Sequence, residues 1–186
     1  MKAVFLDRDG VINKYPGHRK YVTSLKKFRF IPGAKRALKR LGDSGYAIFV
    51  ISNQAGVSKG VYSRSTLDRI TSHMLKELKK YGIDIAAVYY CTHRPDARCP
   101  CRKPKTGMVK KALKEHGLPA RILKSSFFVG DSIMDVQTAA NAGLRSILVF
   151  SGREKARNRR LWPLEPDFTA KDLSGAAQII IKSALK

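Results

Sequence analysis

Acidic residues are scarce in this chain. Asp and Glu number 14 against 37 Lys and Arg, a formal net charge of +23 over 186 residues. An excess of that size favours anionic partners: nucleic acid, an acidic membrane surface or a small anionic substrate. Apolar runs are short everywhere, which excludes a membrane-spanning helix. The N-terminus has Lys2 but no secretory pattern, because Arg8 and the neighbouring acids interrupt the apolar stretch; a cytoplasmic location is expected. Cysteines number only three, and an odd count in a reducing compartment argues against a disulfide framework. Internal repeats and low-complexity segments are missing too, and there is a single tryptophan, Trp162. It lies in the polar, Pro-bounded loop Arg153 to Pro166 and reads as a packing anchor.

What is present is an ordinary globular composition, 44% hydrophobic, at a length that suits one domain, residues 1–186. Short apolar runs alternate with helix-length amphipathic segments. Strands are expected at Ala3 to Leu6, Ala47 to Ile51, Ala86 to Cys91, Ser126 to Val129 and Ser146 to Phe150. Helices are expected at Gly33 to Ser44, Ser65 to Tyr81, Gly107 to His116, Ile133 to Ala142 and Leu173 to Ser183. Pro32 suits the first turn of the first helix, Ser65 to Asp68 a capped start of the second, and Gly45, Gly82 and Gly117 suit helix ends. Such alternation predicts an α/β fold: a parallel sheet with flanking helices and right-handed crossovers. The basic residues are spread along the chain, among them Lys35, Lys39, Lys79 and Lys110 on separate helices and Arg157 in the loop before Pro166. That spread fits solvated helix faces better than a dedicated nucleic-acid surface, so nucleic acid is a possible partner but not the favoured one.

Three of the strands run into polar residues. The first stops at Asp7-Arg8-Asp9-Gly10, the second at Ser52-Asn53-Gln54, and the fourth at Gly130-Asp131, with Asp135 four residues further on. Open α/β sheets bind ligands at the carboxyl ends of their strands. Carboxylates gathered there repel one another unless a hard cation such as Mg²⁺ takes them as oxygen ligands. Arg102 and Lys103 place two cations just before the third helix. Asp135 has two readings: a partner of Lys103 or of a metal-bound water, and an acid favoured at a helix N-terminus. All three cysteines lie in one eleven-residue loop, Cys91 to Cys101, and with His93 make the set Cys91, His93, Cys99 and Cys101. Cys₃His is a common structural zinc complement; a free-thiol loop is the alternative.

Asp7 and Asp9, Ser52, Lys103 and Asp131, in that chain order, resemble the four motifs of the haloacid dehalogenase (HAD) superfamily of phosphohydrolases, over Val4 to about Phe150. Cys-x-His-x-Pro followed by Cys-x-Cys-Arg-Lys-Pro resembles the zinc loop of its histidinol-phosphatase-like subfamily, and the segment Ser52 to Gly56 resembles that subfamily's Asn-Gln loop. The resemblance implies a Rossmann-like HAD fold. The gap Asn13 to Phe30 is too short for a folded cap, so the site should be capless, beside a zinc-pinned loop. It implies Asp7 as nucleophile, Asp9 as general acid and base, and Ser52 and Lys103 on the phosphoryl oxygens. Mg²⁺ would sit on Asp7, the Asp9 carbonyl and Asp131, and Zn²⁺ on the cysteine loop. Substrate contacts would come from Asn13, Asn53, Gln54, Arg102 and Lys103. The substrate implied is a small sugar phosphate, heptose bisphosphate first and histidinol phosphate second. A nucleic-acid-binding protein or a nucleic-acid 3′-end phosphatase on the same scaffold is the reading of another class. A monomer is expected.

Overall fold

A computed structural model describes residues 2–183. Its centre is a six-stranded, all-parallel sheet of order β3-β2-β1-β4-β5-β6. The strands are β1 (Lys2–Leu6), β2 (Tyr46–Asn53), β3 (Ala87–Cys91), β4 (Phe127–Gly130), β5 (Arg145–Val149) and β6 (Phe168–Ala170). The helices are α1 (Ala34–Asp43), α2 (Arg64–Lys79), α3 (Gly107–Glu115), α4 (Ile133–Ala142) and α5 (Leu173–Ser183). Successive strand residues point to opposite faces. Val4, Leu6, Ile48 and Val50 therefore pack under α1, α2 and α5, against Leu38, Leu41, Ile70, Met74 and Ile180. Ala3, Phe5, Phe49 and Ile51 pack on the other face against Met108, Val109 and Ala112 of α3 and Ala139 of α4. Strands buried on both faces need near-continuous apolar runs; β1, for instance, is fully buried over Ala3 to Leu6.

The chain builds outward from β1 to β2 and β3, then crosses to β4 on the other side of β1. The order thus reverses between β1 and β4, and the crevice for a ligand opens there. Register brings the motif residues level: Leu6 pairs with Val50 of β2 and Val129 of β4. The Asp7 N–H continues the ladder by donating to the Val129 carbonyl at 2.9 Å.

The expected elements are all there, with shifted ends. β2 runs on through Ser52 and Asn53, which carries both side chains to the rim of the sheet. Pro32 does not enter α1; it lies in the preceding turn, and Gly33 caps the helix at φ +83°, a left-handed conformation that glycine adopts at low cost. Helix α2 is capped two residues earlier than expected, by Ser63, whose hydroxyl accepts from the Thr66 N–H at 3.1 Å. Strand β6 was not legible in the sequence: it is three residues long and only half-buried. Asp167 pins it by accepting from the Ser146 N–H and hydroxyl, each at 2.7 Å. Trp162 stacks on Phe150 with ring centroids 6.3 Å apart, the packing role expected of it. Among the described residues no helix is long and apolar enough to cross a membrane. Among the described residues no folded cap interrupts the sheet; the segment between Asn13 and Phe30 is a loop with one 3-10 turn.

Candidate active site

At the β1/β4 crevice Asp7 follows β1 and Asp131 follows β4, 9% and 4% exposed respectively. Asp135, in the first turn of α4, completes a group in which one carboxylate oxygen from each residue lies within 4.8 Å of the others. Burial pushes the Asp7 and Asp131 carboxyls above the ordinary range, and their neighbours' negative charge adds to it. Room for the cluster depends on three glycines, one of them Gly130, where a β-carbon would strike the Asp135 side chain. A β-carbon on Gly10 or on Gly152 would fall on the Asp131 carboxylate.

Lys103 reaches into this group from the loop before α3, fully buried. Its ammonium lies 2.6 Å from Asp135 Oδ1 and 3.0 Å from Asp7 Oδ1, and it donates to the Ile51 carbonyl at 3.0 Å. Burial works against its charge, but Asp135 and Asp7 outweigh it and hold the lysine protonated. Asn53 secures the lysine's backbone: its Oδ1 accepts from the Lys103 N–H at 3.1 Å and its Nδ2 donates to the Lys103 carbonyl at 3.2 Å. Both readings of Asp135 are present together. Oδ1 takes the lysine, while Oδ2 closes a capping box by accepting from the Ser132 N–H and hydroxyl at 3.1 and 2.6 Å.

That commitment decides which acids could hold a metal. Asp135 has both oxygens engaged. Asp7 Oδ1 is buried without a hydrogen-bond donor despite the nearby ammonium. Asp131 accepts from the Arg153 N–H at 2.8 Å through Oδ2. An oxygen-only, anionic group with unmet acceptor capacity suits a hard divalent cation, with Asp7 and Asp131 as the side-chain ligands.

The cysteine loop forms a second cluster. Cys91 ends β3, and its sulfur lies 3.6 Å from both Cys99 Sγ and His93 Nδ1. Cys101 Sγ is 3.5 Å from Cys99 Sγ and 3.2 Å from His93 Nδ1. Ligands of a tetrahedral zinc at ordinary bond lengths lie about 3.5–3.8 Å apart; three of these separations match and the His93–Cys101 one is shorter, so the set is close to what that ion takes. Burial and the adjoining thiols push Cys101 up to about 12, a cost that bound Zn²⁺ would remove by taking thiolates. The loop leads directly into Arg102 and Lys103, and Arg102 Nη1 donates back to the His93 carbonyl at 3.4 Å.

A cavity of about 280 Å³ opens over these groups, at the small end of ligand pockets. Its floor is Asp7, Asp9, Ser52, Asn53, Lys103 and Asp131; its walls are the loop Tyr15 to Tyr21, Arg102 and Arg153. Two expected substrate contacts are not on it. Asn13 and Gln54 are 0% and 1% exposed and turn their amides to Asp9, at 2.8 Å to Oδ1 and 2.9 Å to Oδ2. They support Asp9 instead of facing the cavity, because the turn after Gly10 folds the chain back so that the Gly10 N–H donates to the Asn13 carbonyl at 2.7 Å. Arg8 escaped the sequence reading. It is 0% exposed and clamps Asp9 through Nε and Nη2 at 3.0–3.2 Å. Its position between two aspartates at a buried strand end was the available signal.

Comparison with known proteins shows the family. The family described as HAD-hydrolase-like matches residues 100–176. The chain is 38% identical over 161 residues to the D-glycero-beta-D-manno-heptose-1,7-bisphosphate 7-phosphatase of Haemophilus ducreyi, covering 82% of this chain and 85% of that one. It is 37% identical over 154 residues to the D-glycero-alpha-D-manno-heptose-1,7-bisphosphate 7-phosphatase of Campylobacter jejuni, covering 83% and 85%. Among solved structures, the D,D-heptose 1,7-bisphosphate phosphatase of B. bronchiseptica, complexed with magnesium and phosphate, superposes with a TM-score of 0.87 at 31% identity, covering 98% of this chain and 99% of that one. The chain belongs to the HAD superfamily, in the phosphatase family that holds these heptose-bisphosphate enzymes, and is a phosphoric monoester hydrolase.

Proposed function

We propose that this enzyme removes the 7-phosphate of D-glycero-D-manno-heptose 1,7-bisphosphate through an aspartyl phosphate on Asp7. The observation that carries the reading is the contact of Lys103 with both Asp7 and Asp135 on the floor of a capless, cation-walled cavity. Asp7 lies on the cavity floor with the Lys103 ammonium 3.0 Å from its Oδ1, and its attack on phosphorus would split one difficult displacement into two easier ones. Lys103 and Ser52 would bind the phosphoryl oxygens over which charge spreads in the transition state. Asp9 would give its proton to the leaving sugar oxygen, then take one from the water that cleaves the intermediate. Asp7, the Asp9 carbonyl and Asp131 would hold Mg²⁺, which would neutralise the repulsion between the nucleophile and the phosphate. The phosphate that stays on the sugar would meet Arg19, Lys20, Arg102 and Arg153 on the walls.

The substrate assignment is tested by kcat/KM on both anomers of the bisphosphate, the corresponding monophosphate, histidinol phosphate and a 3′-phosphorylated oligonucleotide. One heptose bisphosphate anomer should lead the panel by at least about tenfold, with the 1-phosphate retained in the product. A lead for histidinol phosphate or the oligonucleotide would replace this substrate while leaving the chemistry in place. The named relatives include both anomeric forms, so the better anomer is read from the assay.

Zinc in the cysteine loop is proposed as a structural pin, since the loop around residues 93–98 is exposed and has little apolar surface of its own. Elemental analysis should find about one zinc per chain. Replacing Cys99 and Cys101 together by Ser should release it and lower kcat by about tenfold or more, because Arg102 and Lys103 follow the last ligand directly. Full activity in a zinc-free variant would contradict the pin.

A further inference from the structure

Beneath the cavity lies a buried polar cluster that the hydrolytic steps above leave unused. Arg8 is the largest fully buried side chain, and a buried guanidinium is costly unless its donors are paired. Besides Asp9, its Nη2 donates to Gln54 Oε1 at 3.2 Å. The other end of that amide, Nε2, donates to Asp9 Oδ2 at 2.9 Å and Ser52 Oγ at 3.1 Å. A third residue holds the amide in place. Tyr62 is 7% exposed, and its hydroxyl donates to Gln54 Oε1 at 2.6 Å. Burial raises the phenol's pKa, so it stays a donor at neutral pH. Arg8 donates to the amide oxygen and Asp9 accepts from its NH₂, so the amide cannot turn without setting its NH₂ against the guanidinium and its oxygen against the Asp9 carboxylate; the Tyr62 hydroxyl adds a second, short hydrogen bond to the same oxygen. The ring of Tyr62 packs flush on Gly56, where a β-carbon would collide with it. On its outer side, 6.0 Å away by centroid, is the ring of Tyr21 in the cavity wall.

We propose that Tyr62 is a positioning residue for proton transfer: through Gln54 its hydroxyl fixes the carboxyl group of Asp9 against the leaving-group oxygen. The proposal rests on Asp9 as general acid. As the sugar oxygen leaves phosphorus and the Asp7–phosphorus bond forms, the Asp9 proton moves to that oxygen and the alcohol departs neutral. A carboxyl group that swings loses that alignment, and a tyrosine outside the cavity thereby governs how well it holds.

The test exploits leaving groups. An alkyl alcohol needs the proton, whereas 4-nitrophenolate departs without one. Tyr62→Phe deletes one oxygen and keeps the ring on Gly56. Its kcat/KM, which reports formation of the aspartyl phosphate, should fall about tenfold on a sugar phosphate, a part of the 10²–10⁴ that general acids typically supply. On 4-nitrophenyl phosphate it should change less than about threefold. Gln54→Leu should behave alike, and adding Tyr62→Phe to it should cost nothing more. Asp9→Asn, run alongside, should show the same split more deeply. Equal losses on both substrates with Tyr62→Phe would mean a merely structural role and overturn the proposal. A split with Asp9→Asn but none with Tyr62→Phe would overturn it while sparing Asp9; no split with Asp9→Asn would remove the general-acid reading itself.

Discussion

Asp7→Asn should abolish turnover, by at least about 10⁴-fold, while the protein stays folded. The amide cannot attack phosphorus, and losses of this size follow removal of a nucleophile elsewhere. The fold should tolerate the change unusually well. Asp7 is buried beside Asp131 and Asp135; burial raises its carboxyl, the Lys103 ammonium 3.0 Å away draws it down, and Asp135 and Asp9 raise it again, leaving it above the ordinary range. Removing one of three crowded negative charges relieves repulsion in the metal-free protein. Thermal stability without Mg²⁺ should therefore be equal to or above that of the parent, and the stabilisation that added Mg²⁺ gives the parent should shrink. Calorimetry with and without the ion, on protein whose turnover has been measured, checks all three statements. Substantial activity in the variant would rule out covalent catalysis by Asp7.

Lys103→Met should show the opposite pairing of effects, with activity and stability lost together. The lysine is 3% exposed and lies against two carboxylates, one of which also caps α4. Truncating one member of a buried ion pair typically costs about 3–5 kcal/mol, because the remaining charge is stranded. The pH dependence has a definite sign. In the parent, Asp135 and Asp7 raise the lysine above its ordinary value, so its contribution is complete at neutral pH and is lost only as pH rises through that raised pKa. In the variant the stranded carboxylates gain protons more readily when folded than when unfolded. Its deficit should be largest near neutral pH and shrink on acidification. Urea unfolding at several pH values measures this; a deficit that grew towards acid would mean that the lysine is not the counter-charge of these acids.

Much of this was legible in the sequence, for identifiable reasons. Strands buried on both faces must be apolar throughout, so β1, β2 and β4 stand out and their polar successors, Asp7, Ser52 and Asp131, mark the ligand-binding edge. The cysteine loop was readable because its ligands are clustered in eleven residues. What escaped depends on side-chain direction in irregular backbone. Asn13 and Gln54 are polar residues next to motifs, and nothing in their spacing tells whether they face the cavity or, as here, turn inward to Asp9. Arg8 is of a residue type rarely buried, and only the packed turn around it shows that its charge is answered by Asp9. Tyr62 is eight residues from the amide it holds, across a turn of the chain. Strand β6 is too short to show a period and exists because Asp167 ties it to Ser146.

The central claim, that phosphate passes through Asp7, is tested most directly by trapping. The enzyme is mixed with a sugar bisphosphate and Mg²⁺, quenched within a turnover, reduced with borohydride and digested. An acyl phosphate on an aspartate is reduced to homoserine, which peptide mass spectrometry locates in the chain. Homoserine at position 7, absent when substrate or Mg²⁺ is left out, is the predicted result; active enzyme that yields none there, or yields it at position 9, 131 or 135 instead, would contradict the account.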